Sequence, residues 1–438
     1  MNNLITLSFH LRLPGSPKSN SICQLIALLL AAAFVFSISG FADASPANAI
    51  LYDTGQTKCY QTDTPYNQIP CYSTGQDGEY TFAPLSYAAD SLTVTDKNTG
   101  LLWQRQNDLV TRSWSAAGSY CDNLNSLNFD GYNTGWRLPT NQELMGLADY
   151  SLGDPGPPVQ PALNATYFPI SASQSQLAYW TSTPVAGDNT SAWYVDFSNG
   201  SNGYDLKATS NLYFVRCVHG TEPSYGSFIN NGNSTITDPA TSLMWQQGHV
   251  SSEDLADALT HCENLDFASR QNWRLPNIRE LISIVDYSRA PALNSNYFSY
   301  NPSESITYRS STTENVATAN SWWVYIPDGK VDADPKSNQY WVKCVTCANL
   351  PVWIYGTSSY YSTVQAGYNN ITSGYTLALQ SQPFTENLNL TSLTIVAINL
   401  TGGYSCDYYA SNNGFSTIHG SVTIGANTSV TVDKLIIQ

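Results

Sequence analysis

The spacing Cys344-Val345-Thr346-Cys347 is that of a thiol pair able to run redox chemistry or hold zinc, provided that neither cysteine is committed elsewhere. Histidine, the commonest acid–base group and metal ligand, stands after residue 44 at His219, His249, His261 and His419, each without the spacing of a ligand set. Oxygen ligands for calcium are present in loops carrying Asp154, Asp188-Asn189, Asp328, Asp332 and Asp334, but no loop has EF-hand spacing, so calcium lacks a motif and solvated loop acids are the plain reading. Nucleophile elbow, phosphate loop and kinase signatures do not occur. The expectation is therefore no catalytic, cofactor-binding or metal residue. Aromatic side chains offer a different chemistry: Trp180, Trp193, Trp322 and Trp323 could stack on sugar faces, with core packing as the competing role.

Whatever positions these residues is used twice. Thr95-Asp96-Lys97-Asn98-Thr99-Gly100-Leu101-Leu102-Trp103-Gln104 returns about 140 residues later as Thr237-Asp238-Pro239-Ala240-Thr241-Ser242-Leu243-Met244-Trp245-Gln246. In each copy there follow a cysteine in a helical pattern (Cys121, Cys262), Trp-Arg-Leu-Pro (Trp136, Arg137, Leu138, Pro139; Trp273, Arg274, Leu275, Pro276), Glu-Leu (Glu143-Leu144; Glu280-Leu281) and a Tyr-led Ser/Thr stretch (Tyr179-Trp180-Thr181-Ser182-Thr183; Tyr308-Arg309-Ser310-Ser311-Thr312). A Trp-to-Gly interval (Trp193 to Gly200; Trp322 to Gly329) and Val-Arg-Cys or Val-Lys-Cys (Val215-Arg216-Cys217; Val342-Lys343-Cys344) close the unit.

Local physics accounts for most of these signposts. Leu255, Ala258, Leu259, Cys262 and Leu265 share one helical stripe, with Ser252 as the expected N-cap and early acids suiting the helix dipole. Thr140 with Glu143, and Asn277 with Glu280, have capping-box spacing, so a second helix is predicted there, and the Trp-Arg-Leu-Pro element is read as structural. Residues 192–197 and 213–218 alternate with aromatic and β-branched residues and are predicted strands. The unit is α+β. From residue 350 onward the composition turns to Thr, Ser, Asn, Gly and Ile, with short strands predicted at 375–379, 390–395, 422–424, 430–432 and 435–437.

The N-terminus reads as a secretory signal at 1–44: Arg12 and Lys18, an apolar run at 25–38, then small residues at Ala42 and Ala44 or Ala47 and Ala49, with an uncleaved anchor as the competing reading. Later segments are too polar to span a membrane. Removing Cys23 with the signal leaves eight cysteines in an exported chain. Cys121 pairs with Cys217 and Cys262 with Cys344, because each pair joins the first helix to the last strand at matching places of the repeat. Cys59 and Cys71 then close a small loop, and Cys347 and Cys406 are left over, paired or apart. Net charge is −15 on 438 residues, and −16 once residues 1–44 are gone, which argues against nucleic acid and anionic lipid as partners.

On Trp136 to Leu144, Tyr179 to Ser182 and Arg216 to Val218, with the upstream Asp53-Thr54-Gly55-Gln56-Thr57-Lys58-Cys59-Tyr60 and Gly75-Gln76-Asp77-Gly78, the chain resembles the C-terminal domain family of the Legionella collagen-like adhesin. The resemblance implies two tandem C-type-lectin-like domains, similar in fold to formylglycine-generating enzymes. The second copy departs from the pattern at Arg309, Lys343 and Thr346. A ligand role therefore falls to Tyr179, Trp180, Trp193 and Arg216 of the first. The Glu-Pro-Asn and Trp-Asn-Asp motifs of calcium-dependent lectins are missing. The tail resembles the opening of a right-handed parallel β-helix, with Gly402-Gly403-Tyr404 as its turn. The expected organisation is signal 1–44, lead-in 45–89, copies at 90–220 and 221–349, and a β-rich segment at 350–438.

The expected function is non-enzymatic recognition or adhesion, at the cell surface or in the periplasm or medium, toward a glycan or surface protein. A structural envelope protein is the rival, and a formylglycine-generating oxidase a remote one. The resemblance implies sulfated polysaccharides as ligands, yet residues 90–220 hold as cations only Lys97, Arg105, Arg112, Arg137, Lys207 and Arg216, dispersed along the chain. Clustered Lys and Arg hold polyanions. The mature protein is accordingly expected to leave a heparin column at or below about 0.15 M salt; retention well above that would show a gathered basic patch.

Overall fold

The computed structural model describes residues 53–438 except 81–83, 154–159, 172–175, 209, 224–225, 302–303, 393, 396, 407, 409–413 and 427. The expected signal, Cys23 and Asp154 lie outside the described residues. Among the described residues no helix is long and apolar enough to cross a membrane.

Each copy begins with a hairpin that its Thr-Asp-x-x-Thr residues turn. The Asp96 carboxylate accepts the Asn98 amide at 2.9 Å and the Thr99 hydroxyl at 2.8 Å. Asp238 accepts the Ala240 amide at 3.0 Å and the Thr241 hydroxyl at 2.8 Å. Such side-chain turns are what Asp favours where a strand must reverse. In the first copy Tyr87–Ala89, Thr93–Asp96, Leu102–Gln104, Val218–His219 and Trp136–Arg137 form one sheet in that order. In the second, Ile229–Asn230, Thr235–Asp238, Leu243–Gln246 and Val345–Cys347 do the same. Gln104 and Gln246 end their strands by accepting the Cys217 and Cys344 amides at 3.3 and 2.9 Å, which ties the hairpin to the closing strand.

Helix α1 (Trp114–Ser126) and the capped helix α2 (Asn141–Met145) lie in the first copy, α3 (Leu255–Glu263) and α4 (Ile278–Ser283) in the second. The expected N-cap Ser252 is not the cap of α3. Val250–Glu253 is drawn into a strand against Tyr340–Val342, and Asp254 caps instead, accepting the Asp257 amide at 3.0 Å. Both capping boxes form: Thr140 with Glu143, and Asn277 with Glu280. The same glutamates receive a bidentate arginine, Arg137 to Glu143 at 2.7 and 2.6 Å and Arg274 to Glu280, so one carboxylate locks the Trp-Arg-Leu-Pro strand to the helix that follows it.

A second sheet completes each copy, from Ala178–Val185, Asp188–Asp196 and Ser201–Leu206 in the first and from Thr307–Thr313, Asn320–Tyr325 and Lys330–Pro335 in the second. The strand expected at 213–218 is mostly irregular, with single bridges at Tyr213 and Phe214 before Val218–His219. Four disulfides are present: Cys121–Cys217 and Cys262–Cys344 at the matching places, Cys59–Cys71, and Cys347–Cys406, which ties the second copy to the tail.

The two copies bury equivalent faces against each other. Tyr150 meets Trp322 edge to face at 5.0 Å, and its counterpart Tyr287 meets Trp193, the counterpart of Trp322, at 5.2 Å. Gln142 of α2 donates to the Val285 carbonyl at 2.8 Å, and Arg279 of α4 donates to the matching Ala148 carbonyl. This reciprocity is that of a two-fold dimer interface, made here within one chain. Asn202 extends the contact by receiving the Val331 amide at 2.7 Å. One apolar core consequently runs through both copies.

The tail after residue 350 has its own core of Leu377, Leu379, Leu388, Leu390, Ile398, Leu400 and Ile418. Thr376–Gln380, Ala397–Tyr404 and Ser429–Asp433 pair in parallel, as do Pro383–Thr385, Ser416–His419 and Leu435–Ile437, and Leu388–Leu390 with Val422–Ile424. Gly402-Gly403-Tyr404 is not the expected turn. It ends the strand Ala397–Tyr404, and a Cβ on Gly402 would stand 2.2 Å from the Lys434 carbonyl oxygen, so only glycine permits the next pass to lie this close. Between Thr391 and Ile395 the described residues are not strand.

Truncating one side of the reciprocal contact leaves a cavity between the copies. Trp322→Ala is expected to cost about 3–5 kcal/mol, read as a lower urea midpoint, whereas Trp353→Ala in the tail leaves the interface between the copies intact.

Candidate functional site

The residues expected to face a ligand are inside. Tyr179 and Trp180 are 0% exposed, Trp193 1% and Arg216 0%. Tyr179 accepts the Asn107 amide through its hydroxyl at 2.9 Å, the Trp180 indole donates to the Arg112 carbonyl at 2.8 Å, and Trp193 is spent on the contact between copies. The ligand-facing expectation is corrected: exposure of amphipathic aromatics is decided by which layer covers them, and here the other copy or the closing segment does.

Arg216 and Lys343 share one task. The Arg216 guanidinium donates to the Gln104 and Arg105 carbonyls at 2.7 and 2.6 Å, and the Lys343 ammonium to those of Gln246, Gln247 and Gly248. Each cation gathers the carbonyls of the turn that leaves the hairpin. Burial pushes the Lys343 ammonium down to about 7, and the three carbonyls oppose that push by holding the charged form. Arg309, in the place of Trp180, donates to the Ser321 hydroxyl at 2.7 Å and the Asn338 carbonyl and lies over the Tyr340 ring. The departures of the second copy are thus exchanges within the core.

Cys344 and Cys347 serve two different disulfides, so their spacing carries no thiol pair. Asp328 stays in a turn and accepts the Lys330 amide, but Asp188, Asp332 and Asp334 lie in strands instead of the expected loops: Asp188 accepts from Thr190, Asp334 from Tyr340, and Asp332 pairs with Lys330. Among the described residues no three His, Cys, Asp or Glu gather to hold a metal ion.

The structure does build a groove of about 870 Å³ where the lead-in, α3 and the strand Pro383–Thr385 converge. The disulfide loop of the lead-in forms one wall. Its shape is held by Glu79, which accepts the Ser73, Thr74 and Gly75 amides at 2.7, 2.7 and 2.9 Å, and by Gln76, which pairs with both backbone groups of Tyr60. Tyr80 fastens that wall to α3 by donating to Glu263 at 2.7 Å. Glu263 reaches water, yet the protein crowded around its carboxyl pushes it above the usual carboxylate range. The side-chain amides of Asn264, Asn272 and Gln382 line the groove and bond to no described residue, while Tyr72, 49% exposed, offers a ring at one end beside His419. Among the described residues no Lys or Arg lines it. These residues are spread from 60 to 385 in elements of three kinds, and no sequence signal joins them.

Residues 92–219 and 234–346 each match the Lcl C-terminal domain, and the chain belongs to that family, carrying the domain twice. No curated protein matches the chain. Since Arg216 and Lys343 do the same work, Lys343→Arg should keep the stability of the protein, whereas Lys343→Met orphans buried carbonyls and should cost about 1–3 kcal/mol, measured by chemical denaturation at neutral pH.

Proposed function

We propose that this protein is an exported, non-enzymatic surface recognition protein of the adhesin type, and that a neutral glycan is what the groove holds. Family membership supports the adhesin reading, and the four disulfides support folding in an oxidising compartment. The groove's lining carries the ligand class: free amides, an exposed tyrosine and carboxylates, with no Lys or Arg among the described residues. Sugars are bound by amide hydrogen bonds to hydroxyls and by stacking of their apolar faces on aromatic rings. A polyanion is disfavoured further because Arg216, Arg274, Arg279, Arg309, Lys336 and Lys343 are buried and lost to the surface. The C-type-lectin-like reading of the copies and the β-helix reading of the tail belong to this proposal. Supporting them are the disulfide from first helix to closing segment in each copy and the parallel ladders after residue 375.

A glycan array probed with the whole mature chain is expected to return neutral oligosaccharides. Tyr72→Ala should weaken the best of them about tenfold, equivalent to ~1.4 kcal/mol, without lowering stability. An array answered only by sulfated glycans, or a hit indifferent to Tyr72, would overturn the reading.

A further inference from the structure

The lead-in breaks the two-fold relation between the copies, and the break leaves one cleft filled and its counterpart open. In the filled cleft, residues 53–56 run between the copies with a bend at Gly55. The Tyr150 amide donates to the Thr54 carbonyl at 2.8 Å. The Gln56 side-chain amide donates to the carbonyls of Thr313 at 2.7 Å and Tyr150 at 3.3 Å. Thr54 and Thr312 both donate their hydroxyls to Asp77 at 2.7 Å. Gly55, at φ +90°, passes so close to Asp149 that a Cβ would stand 2.2 Å from its carboxylate oxygen, with Ser151 next nearest.

Carried through the repeat, Asp149, Tyr150 and Ser151 become Asp286, Tyr287 and Ser288, and Thr312 and Thr313 become Thr183 and Pro184. All five counterparts line a second cavity, of about 750 Å³. Glu222, which precedes the second copy as Asp77 precedes the first, lines it too. The local geometry is preserved. Ser288 bonds to Asp286 through its amide at 3.1 Å, as Ser151 does to Asp149 at 3.0 Å, and Thr183 receives the Asn141 amide at 2.9 Å, as Thr312 receives that of Ile278 at 3.0 Å. The Tyr287 amide, counterpart of the one that Thr54 engages, has no hydrogen-bond acceptor among the described residues. Residues 53–74 have no equivalent ahead of the second copy, because that stretch of chain is the end of the first.

We propose that this open cleft binds an extended segment of another polypeptide with the Thr-Gly-Gln pattern of the lead-in. The segment's first carbonyl takes the Tyr287 amide, its glycine crosses Asp286, and its side-chain amide reaches the carbonyls of Pro184 and Tyr287. The chemistry is that of strand addition, with backbone hydrogen bonds for affinity and one obligatory glycine for selectivity. This site is separate from the glycan groove and stands or falls without it.

A fluorescent synthetic peptide of residues 51–58, titrated onto the whole mature chain, is the probe. Saturable binding is expected below about 1 mM. It should fall at least tenfold with Ser288→Trp, which fills the cleft from an exposed position, and at least tenfold when the peptide carries Gly55→Ala. Unchanged melting of the variant identifies a folded plug, and the altered peptide needs no variant at all. Absence of saturable binding overturns the proposal. So does binding that persists with Ser288→Trp, which marks exchange with the protein's own lead-in, or binding indifferent to the glycine.

Discussion

Trp193 and Trp322 stand at equivalent places on the last sheets of the two copies, and each is covered by a tyrosine of the other copy, Trp193 by Tyr204 of its own copy as well. Aromatic side chains of this size carry the largest apolar areas in the chain, and leaving them in water would be costly for a domain of little more than a hundred residues. Burying them reciprocally makes the pair of copies, not the single copy, the smallest unit with a closed core. The helix-end hydrogen bonds of Gln142 and Arg279 then fix how the copies are turned against each other. The clefts on both sides of that interface follow from this one packing solution.

The segments that precede the copies cross over it. Asp77, Tyr80 and Gln56, which come before the first copy, bond to Thr312, Glu263 and Thr313 of the second, while Gly220, at the start of the segment leading to the second copy, accepts from Arg137 of the first. The lead-in is longer by the disulfide loop, and that excess length has two effects. It fills one cleft, and its loop, leaning against α3 and the tail, makes the wall of the groove. The groove thus arises where the duplication is imperfect, since a symmetric pair would present two identical clefts and no such groove.

The charge of the molecule is distributed by the same economy. Cations among the strands and on α4 are turned inward to gather carbonyls or to lock a helix start, as Arg216, Lys343, Arg274 and Arg279 show. Buried cations of this kind are held by several oxygens at once, which meets the cost of desolvating them. What is left outside is correspondingly poorer in cations than the sequence suggests.

Local rules were legible in the order of residues. The capping boxes, the helix stripe of Leu255 and Cys262, and the pairing of cysteines at matching places all depend on contacts within a few residues or on the repeat itself, and the structure bears them out. Where an outcome depended on a partner from far along the chain, sequence reasoning went astray. Ser252 lost its cap to a strand formed with residues near 340, and Gly402 became the floor for a later pass instead of a turn. Tyr179, Trp180, Trp193 and Arg216 are buried and not a ligand face; nothing local says which side of an aromatic strand meets solvent. Residues 60, 72, 264, 272 and 382 become neighbours only after the lead-in crosses to the second copy and Cys347–Cys406 draws the tail in. By itself, then, the sequence determined the repeat, its local elements and its disulfides, because short-range hydrogen bonding and periodicity specify them. Tertiary structure decided what is surface, because exposure is a property of how layers cover one another and not of any residue.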